Sequence, residues 1–348
     1  MPYDPIKDFE PIGLAALGPI ALVVHQSVPA TDLQSLIALL KANPGKYSYG
    51  SSGLGSILHL CGESLKTRAG GLDIVHVPGT ETGTSTAKVN FIFKFDSTQA
   101  RLNAVGQPSP MPAGNAGQSP RFNNMSAHYV ELAPSAFTAL GAGAILYKAP
   151  QVSTDGATAI DFTNSKFVGN NQVFLSVPVK SFAAGTYNWL RVSLAYQNYN
   201  IYMNALGQTI DATLASFIGF NTYLGSYKVK DSTVIVNANK FQGYWALEGK
   251  IFGVGFLSSG QAPPGATTVP NPLFATSPIP AGSCLVTAQF MSPLIVTGNE
   301  TQDINIVVSL STNKSFEWVD VDNNGTYDPN NGDLVIDMGI RGMIPKKL

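Results

Sequence analysis

The feature that most constrains the fold of this chain is a change of sequence pattern near residue 85. Before that point, short apolar runs alternate with two helical patterns, which is typical of α/β proteins. After it, the chain consists of short strand-like runs broken by Gly, Pro, Asn and Ser, with no sustained helical period. The sequence therefore predicts an α+β chain in two parts: a partial α/β segment (βαβαβ) at 1–80, a junction at 81–88, and a mainly antiparallel β-sandwich at 89–348.

The composition restricts the classes of function. Charged residues form 12% of the 348 residues, against about 25% in a typical soluble protein, and this low charge favours an extracytoplasmic β-protein. The net charge of −1 creates no field that attracts nucleic acid, so nucleic-acid binding is not expected. No apolar run reaches the ~18 residues of a transmembrane helix. The opening MPYDPIKDF lacks the basic and apolar regions of a signal peptide. The oligomeric state is left open.

Two helices are predicted in the first part. Thr31 caps the first helix, Gln34 completes a capping box, and Pro44 follows its end. The second helix starts near Ser56, after the Gly/Ser turn of SSGLGSIL. Glycines in such a turn let the backbone approach a ligand, and the free N–H groups at the helix start attract an anion. The spacing fits two interpretations: a carboxylate or phosphate cradle, or a plain βα turn.

Three motifs of the first part are specific in combination: the opening YDPxKDF, the turn and helix YxSxGxGSxxHLxxE, and the strand IVHVP. Through them, residues 2–78 resemble the periplasmic substrate-binding proteins of tripartite tricarboxylate transporters, often called Bug-type proteins. In that family, two α/β lobes clamp a small carboxylate between them. The resemblance implies that one wall of such a cleft is formed by Ser52, Gly53, Gly55, Ser56 and His59. The rest of the family's α/β pattern, which supplies the opposing wall, does not follow.

The second part consists of alternating runs, beginning with VNFIFKFDS, in which Val89, Phe91, Phe93 and Phe95 share one face. Further strands are predicted at 126–132, 172–179, 188–197, 229–237, 243–254, 284–290, 303–310, 316–321 and 334–338. Ten or so strands without a sustained helix indicate a β-sandwich or a related Greek-key barrel. Residues 211–227 are predicted to form a short helix or a buried loop, and the Pro-rich 258–281 a long surface loop.

Catalytic motifs are not recognised in the second part. His128 is its only histidine, so a site with several histidine ligands is not expected there, and neither GxSxG nor HExxH occurs. The aromatic stretch with Trp189, Tyr196, Tyr199 and Tyr202 fits either a carbohydrate platform or a half-buried strand. The strand is favoured because sheets are generally rich in such residues. The chain is therefore predicted not to be an enzyme.

The best candidate site of the second part is the segment WVDVDNNGTYDPNNGD. Its oxygen-bearing side chains alternate around a glycine as in a calcium-binding loop, which needs hard oxygen ligands and a sharp turn. The twelfth position, where a bidentate Glu belongs, is an Asn, so a true EF-hand is not expected. An Asp/Asn/Gly hairpin tip without metal is the alternative. The predicted Ca²⁺ ligands are Asp320, Asp322, Asn324, Asp328 and Asp333.

The segments NFIFKFDSTQARLN, GTYNWLRVSLAYQNYNI, ETQDINIVVSLSTNKSFEWVDV and DMGIRGMIP carry a second resemblance. Through them, residues 89–348 resemble uncharacterised secreted or lipid-anchored β-proteins of Bacteroidetes-type bacteria, and AAGTYNWLRVSLAY is faintly similar to a strand of MbnP-like proteins. The two resemblances imply a periplasmic or cell-surface location. The predicted function is a non-catalytic extracytoplasmic β-sandwich protein that carries a truncated solute-binding segment. The alternatives are a solute-binding protein for a tricarboxylate or another small carboxylate, and a glycan-acting enzyme.

Overall fold

The computed structural model of the protein describes residues 20–51, 55–78, 86–154, 156–262 and 284–348. The chain divides into two compact units, Met1–Thr84 and Ser85–Leu348. In the described residues, the first unit contains two α-helices and two strands, and the second contains strands and two short 3₁₀ turns, Val179–Ser181 and Pro329–Asn331. The predicted order, a short α/β segment followed by a mainly antiparallel β-region, is confirmed.

The first unit folds as helix α1 (Leu33–Ala42), strand β1 (Ser48–Ser51), helix α2 (Ile57–Arg68) and strand β2 (Val75–Pro78). The two strands pair in parallel, as the α/β pattern requires. The predicted βαβαβ order begins with the apolar stretch 11–25, which fits one interrupted strand or two. Most of this stretch lies outside the described residues, and 20–25 are not in a strand.

Both helices of the first unit begin at a polar cap. The first is capped by Asp32, one residue later than predicted, because its carboxylate accepts the N–H of Ser35 while the Ser35 side chain accepts the N–H of Asp32. The reciprocal pair is the same device that the sequence assigned to Thr31 and Gln34, at a different register. The second helix is capped by Ser56, as predicted.

The second unit contains eighteen strands within its described residues. They are β3 (Lys88–Asp96), β4 (Asn115–Gln118), β5 (Arg121–Ala133), β6 (Ala144–Lys148), β7 (Gln151–Thr154), β8 (Ala157–Asp161), β9 (Gln172–Pro178), β10 (Gly185–Ala205), β11 (Gln208–Phe217), β12 (Asn221–Lys228), β13 (Thr233–Phe241), β14 (Tyr244–Ile251), β15 (Val254–Gln261), β16 (Cys284–Val296), β17 (Ile304–Ser311), β18 (Phe316–Val319), β19 (Leu334–Met338) and β20 (Met343–Lys347).

These strands form four sheets. The largest has seven strands in the order β15-β14-β11-β10-β5-β6, and β16 also pairs with β10. Two four-stranded sheets have the orders β20-β17-β3-β9 and β13-β12-β8-β7, and a three-stranded sheet has the order β19-β18-β4. Pairing is antiparallel except between β17 and β3 and between β12 and β8.

The main core of the second unit lies where two sheets meet. It contains the alternate apolar side chains of β3, among them Phe91 and Phe93, together with side chains of β5, β10, β16 and β17. Phe91 and Phe93 have no exposed surface. The alternation that predicted β3 from the sequence therefore reflects one buried face, as expected for a strand with period two.

Two sequence predictions for the second unit need correction. Residues 211–227 form neither a helix nor a loop, because β11 and β12 cover almost all of the segment. Both faces of β11 are buried near its end, so the apolar run there does not alternate and conceals the strand. The predicted loop at 258–281 lies mostly outside the described residues, and its first residues, 258–261, end β15.

Candidate functional site

The Gly/Ser turn before α2 is the predicted carboxylate wall. Gly55 has φ of +78°, a left-handed conformation that glycine adopts without steric cost. Its amide donates to Nδ1 of His59 over 3.0 Å, and the amide of His59 donates to Oγ of Ser56 over 3.2 Å. Ser52 and Gly53 lie outside the described residues. Within the described part of the wall, the histidine that was expected to face a ligand therefore closes its own helix start.

The ring of His59 also stacks on a second histidine, His76, which is not among the site residues predicted from the sequence. The ring of His76, from β2, lies 4.0 Å from that of His59, and its Nε2 lies 2.7 Å from Oγ of Ser51. Partial desolvation, followed by the nearby charge of His59, lowers the pKa of His76. The alternation of the strand IVHVP places His76 on one face of β2. Its contact with His59 joins β2 to α2, and the sequence spacing alone does not predict such a contact between two elements.

A carboxylate lies in the same part of the first unit. Glu63, in the middle of α2, accepts the hydroxyl of Tyr49 over 2.7 Å and forms an ion pair with Lys66 at 2.9 Å. These two donors lower the pKa of Glu63, and desolvation followed by Glu63 raises the pKa of Tyr49 to about 12. Glu63 is therefore anionic at neutral pH and repels a second carboxylate placed near it.

The apolar side of α2 is uncovered in the described structure. None of its side chains is buried, and Ile57 and Leu60 are 68% and 57% exposed. In β2, Val75 and Val77 are similarly exposed. Parallel strands and the helices that connect them normally bury these faces.

The predicted calcium loop brings three of its four aspartates together. One carboxylate oxygen from each of Asp320, Asp322 and Asp333 lies within 4.8 Å of the others. Asp328 is outside this group and caps the following 3₁₀ turn. Asn324 lies beside the group, because its side-chain amide donates to Asp322 over 2.7 Å. The calcium site stays a prediction.

The carboxylates of this loop also bond to its backbone. Asp320 accepts the amides of Asn324 and Gly325, and Asp333 accepts those of Val321 and Asp328. Because Asx-type bonds of this kind fix a loop by themselves, the geometry also fits the alternative of a hairpin tip without metal.

A network of two arginines and two acids lies in the second unit. The carboxylate of Glu317 is buried and is paired with Arg101 and Arg341, and Arg341 also contacts Asp337. Burial, with a smaller effect of the Glu317 charge, raises the pKa of Asp337 to about 6, although the arginines oppose the shift. The network joins segments that are distant in sequence, and no motif of the chain indicates it.

The remaining candidates of the second unit are structural. His128 has no exposed surface, and burial followed by the charge of Lys148 lowers its pKa to about 3, so the ring is neutral. In the aromatic stretch, Tyr196 and Tyr199 lie on strand β10 and in hydrophobic clusters, which agrees with the interpretation of this stretch as a half-buried strand. Tyr202 is half exposed, with the guanidinium of Arg121 over its ring at 4.4 Å.

Comparisons with known proteins agree with the first resemblance. A model of the tripartite tricarboxylate transporter family receptor, TctC, matches residues 1–94. A UPF0065 protein of Pseudomonas sp. strain P51 is 40% identical over 78 residues, which are 22% of this chain and 23% of that protein. A UPF0065 protein of Bordetella pertussis is 37% identical over 106 residues, 28% and 32% of the two chains. Protein BugT of the same organism is 33% identical over 70 residues, 20% and 22% of the two chains.

The extent of these matches is limited. The chain spans between a fifth and a third of the length of these curated relatives. The family match ends within β3, so the N-terminal segment matches the receptor family and most of the second unit lies outside the match. The resemblance of 89–348 to Bacteroidetes-type or MbnP-like proteins is not supported. No solved structure matches the chain. In the described residues, no helix is both long and apolar enough to cross a membrane.

Proposed function

We propose that the chain is a non-catalytic extracytoplasmic β-sandwich protein, periplasmic or at the cell surface, that carries a partial receptor-type segment at its N-terminus. The part-length family match carries this proposal, because it ends where the second unit begins to pair its strands. The description of that family as a transporter receptor supports a location outside the cytoplasm. The buried, neutral state of His128 supports a role other than acid–base catalysis for this histidine.

Loss of carboxylate binding by the first unit is part of the proposal. A small ligand is held tightly only where most of its surface is buried. In the turn before α2, the amide of Gly55 already has His59 as its acceptor.

Limited proteolysis followed by mass spectrometry tests the proposal on the full chain, with and without citrate. We expect cleavage within residues 1–84 first, a resistant fragment covering the second unit, and equal rates with and without citrate. Slower cleavage of the first unit in citrate would contradict the proposal. It would support the alternative, a solute-binding protein for small carboxylates.

One observation favours that alternative. The start of α2 still has the Ser56 cap and a stacked pair of imidazole rings, His59 and His76. The variant His59→Ala removes the acceptor of the Gly55 amide and half of the pair. Under the alternative, any citrate protection of the first unit disappears in His59→Ala and stays in His25→Ala, whose ring bonds to Ser27 and lies outside the predicted wall.

A further inference from the structure

A cavity of about 480 Å³ lies at one end of the seven-stranded sheet, within the second unit. Strands β11, β14 and β15 form its floor, and the turn between β12 and β13 forms one wall. A volume of this size is typical of small-ligand sites. No motif of the sequence indicates the cavity, because its lining comes from four separate segments.

The wall of the cavity is held in place by one buried side chain. Glu248, on β14, accepts the amides of Lys230, Asp231 and Ser232, the first over 2.9 Å, and also the hydroxyl of Ser232 over 3.0 Å. These bonds exceed the cost of burial and lower the pKa of Glu248, so its carboxylate is anionic and fully engaged. The turn therefore keeps its position without a ligand, which reduces the entropy cost of binding.

Some charged groups of the cavity lining have hydrogen-bond partners within the protein, and others have none. Asp211, a second carboxylate of the lining, accepts a bond from Arg121 over 2.6 Å and one from Asn200 over 3.0 Å. By contrast, Lys230 and Lys250 are exposed lining residues, and their ammonium groups have no ion pair or hydrogen bond to any residue that the structure describes. Asp231, the third carboxylate, is exposed at the turn. Two cationic donors and one exposed acceptor thus remain for a ligand.

One glycine of the lining keeps part of the cavity free of side-chain atoms. Gly255, on β15, lines the cavity opposite Lys250 in the ladder. A Cβ atom added there would meet no heavy atom within 4 Å, and the backbone is not left-handed. A larger side chain at 255 therefore fits the strand but takes up space next to the cavity. Ile210 and Leu257 add apolar surface to the lining.

We propose that this cavity binds a small organic dianion, with Lys230 and Lys250 as the cationic donors and Asp231 accepting a hydroxyl or amine of the ligand. Ammonium groups on two different segments suit two separate anionic groups, as in a dicarboxylate, and a phosphate group is the compact form of the same charge. The inference goes beyond the proposed function, which assigns no ligand to the second unit.

Calorimetric titration of the full chain tests the proposal with succinate, inorganic phosphate and neutral succinamide as probes. We expect succinate to bind and succinamide to give no signal, and phosphate shows whether a compact dianion is sufficient. Lys250→Gln should weaken succinate at least tenfold, and Gly255→Leu should abolish binding. Gly185→Leu is the matched control, because a Cβ there also meets no heavy atom within 4 Å and Gly185 lies outside the lining.

Equal affinity for succinate in Gly255→Leu and wild type would overturn the proposal. The absence of binding by both succinate and phosphate, each at millimolar concentration and in 10-fold excess over the protein, would also overturn it. Tryptophan fluorescence verifies that the protein used in the titration is folded. Binding that disappears in His59→Ala but stays in Gly255→Leu would overturn it in favour of the first unit. An NMR spectrum of succinate after incubation with the protein separates the dianion site from the proposed non-catalytic function. Chemical conversion of succinate would contradict the non-catalytic function but not the existence of the site.

Discussion

The two units of this chain differ in how much apolar surface they bury. In the described part of the first unit, the hydrophobic cluster has four buried members: Leu36, Leu40, Leu72 and Ile74. In the second unit, the main cluster alone joins many more buried side chains, from both β3 and β17 on one sheet and β5, β10 and β16 on another, and further clusters lie beside it. Since the burial of apolar area is the main stabilising term of folding, we infer that the second unit is the stable part of the molecule. The better-recognised sequence thus belongs to the less packed unit.

This difference explains why family resemblance and function need not coincide here. The motifs of the first unit are local: a helix cap, a turn and a short strand remain recognisable even without the rest of an α/β fold. A binding cleft depends on walls that are distant in sequence, and the second unit contains a cavity lined by four separate segments. Each of the following predictions tests one side of this comparison, in order of decreasing effect.

The largest expected effect is in the core of the second unit. Phe93→Ala removes a fully buried ring that is stacked on Phe174 with centroids 4.6 Å apart. We expect the free energy of unfolding to fall by about 3–5 kcal/mol. Urea denaturation followed by tryptophan fluorescence measures it, because all three tryptophans of the chain lie beyond residue 85.

The matched control for this prediction is Ile235→Ala on β13, where the side chain is 74% exposed. Its effect should stay within about 0.5 kcal/mol. Losses of similar size in the two variants would remove the basis for calling the second unit the well-packed one.

The next largest effect is a pH dependence of the free energy of unfolding that comes from Asp337 in the second unit. The pKa of Asp337 is raised to about 6 by burial, so the folded chain binds this proton more tightly than the unfolded chain does. Between pH ~4 and ~6 the group therefore makes the fold less stable as the pH rises, by up to about 3 kcal/mol. In Asp337→Asn this loss is absent, and the stability of the variant relative to wild type should increase from pH 4 to pH 7 in urea denaturation.

Asp96 provides a control of opposite sign. Hydrogen bonds from Lys94 and Thr98 hold the pKa of Asp96 well below its usual range. Asp96→Asn should therefore lose stability relative to wild type as the pH rises through the ordinary range of an aspartate. If both variants changed with pH in the same direction, the raised pKa of Asp337 would be wrong.

The particular elements show what the sequence could predict. The strand β3 and the start of α2 depend on local signals, namely the alternation of Phe91 and Phe93 and the cap at Ser56, and both were predicted. The strands β11 and β12 were missed because burial on both faces of β11 removes alternation. The cavity could not be predicted, since Lys230 and Lys250 come together only through the order of strands in two sheets.

The predicted calcium loop gives a smaller effect. At 1 mM calcium, a site with a dissociation constant of about 0.1 mM, within the range of extracellular modules, would stabilise the second unit by ~1.4 kcal/mol. Asp322→Asn should remove this gain, because Asp322 is one of the three clustered carboxylates. Asp328→Asn should retain it, because Asp328 lies outside the cluster. A wild type that calcium does not stabilise would indicate a hairpin tip that needs no metal, and an equal gain in both variants would show that Asp322 is not a ligand.

The smallest expected effect tests the first unit. Ser56→Ala removes the hydroxyl that accepts the amide of His59 at the start of α2, and loss of such a cap costs about 1 kcal/mol. Because no side chain of α2 is buried in the described structure, helix capping should account for a large share of its local stability. Hydrogen exchange measured by mass spectrometry should therefore show faster exchange in residues 57–68 of the variant and unchanged rates in β10.

Ser35→Ala is the control in the same unit, since it perturbs the cap of α1, whose Leu36 and Leu40 are buried. A smaller change of exchange in α2 than in α1 would mean that packing rather than capping holds α2, and the two units would then differ less than their buried surfaces indicate.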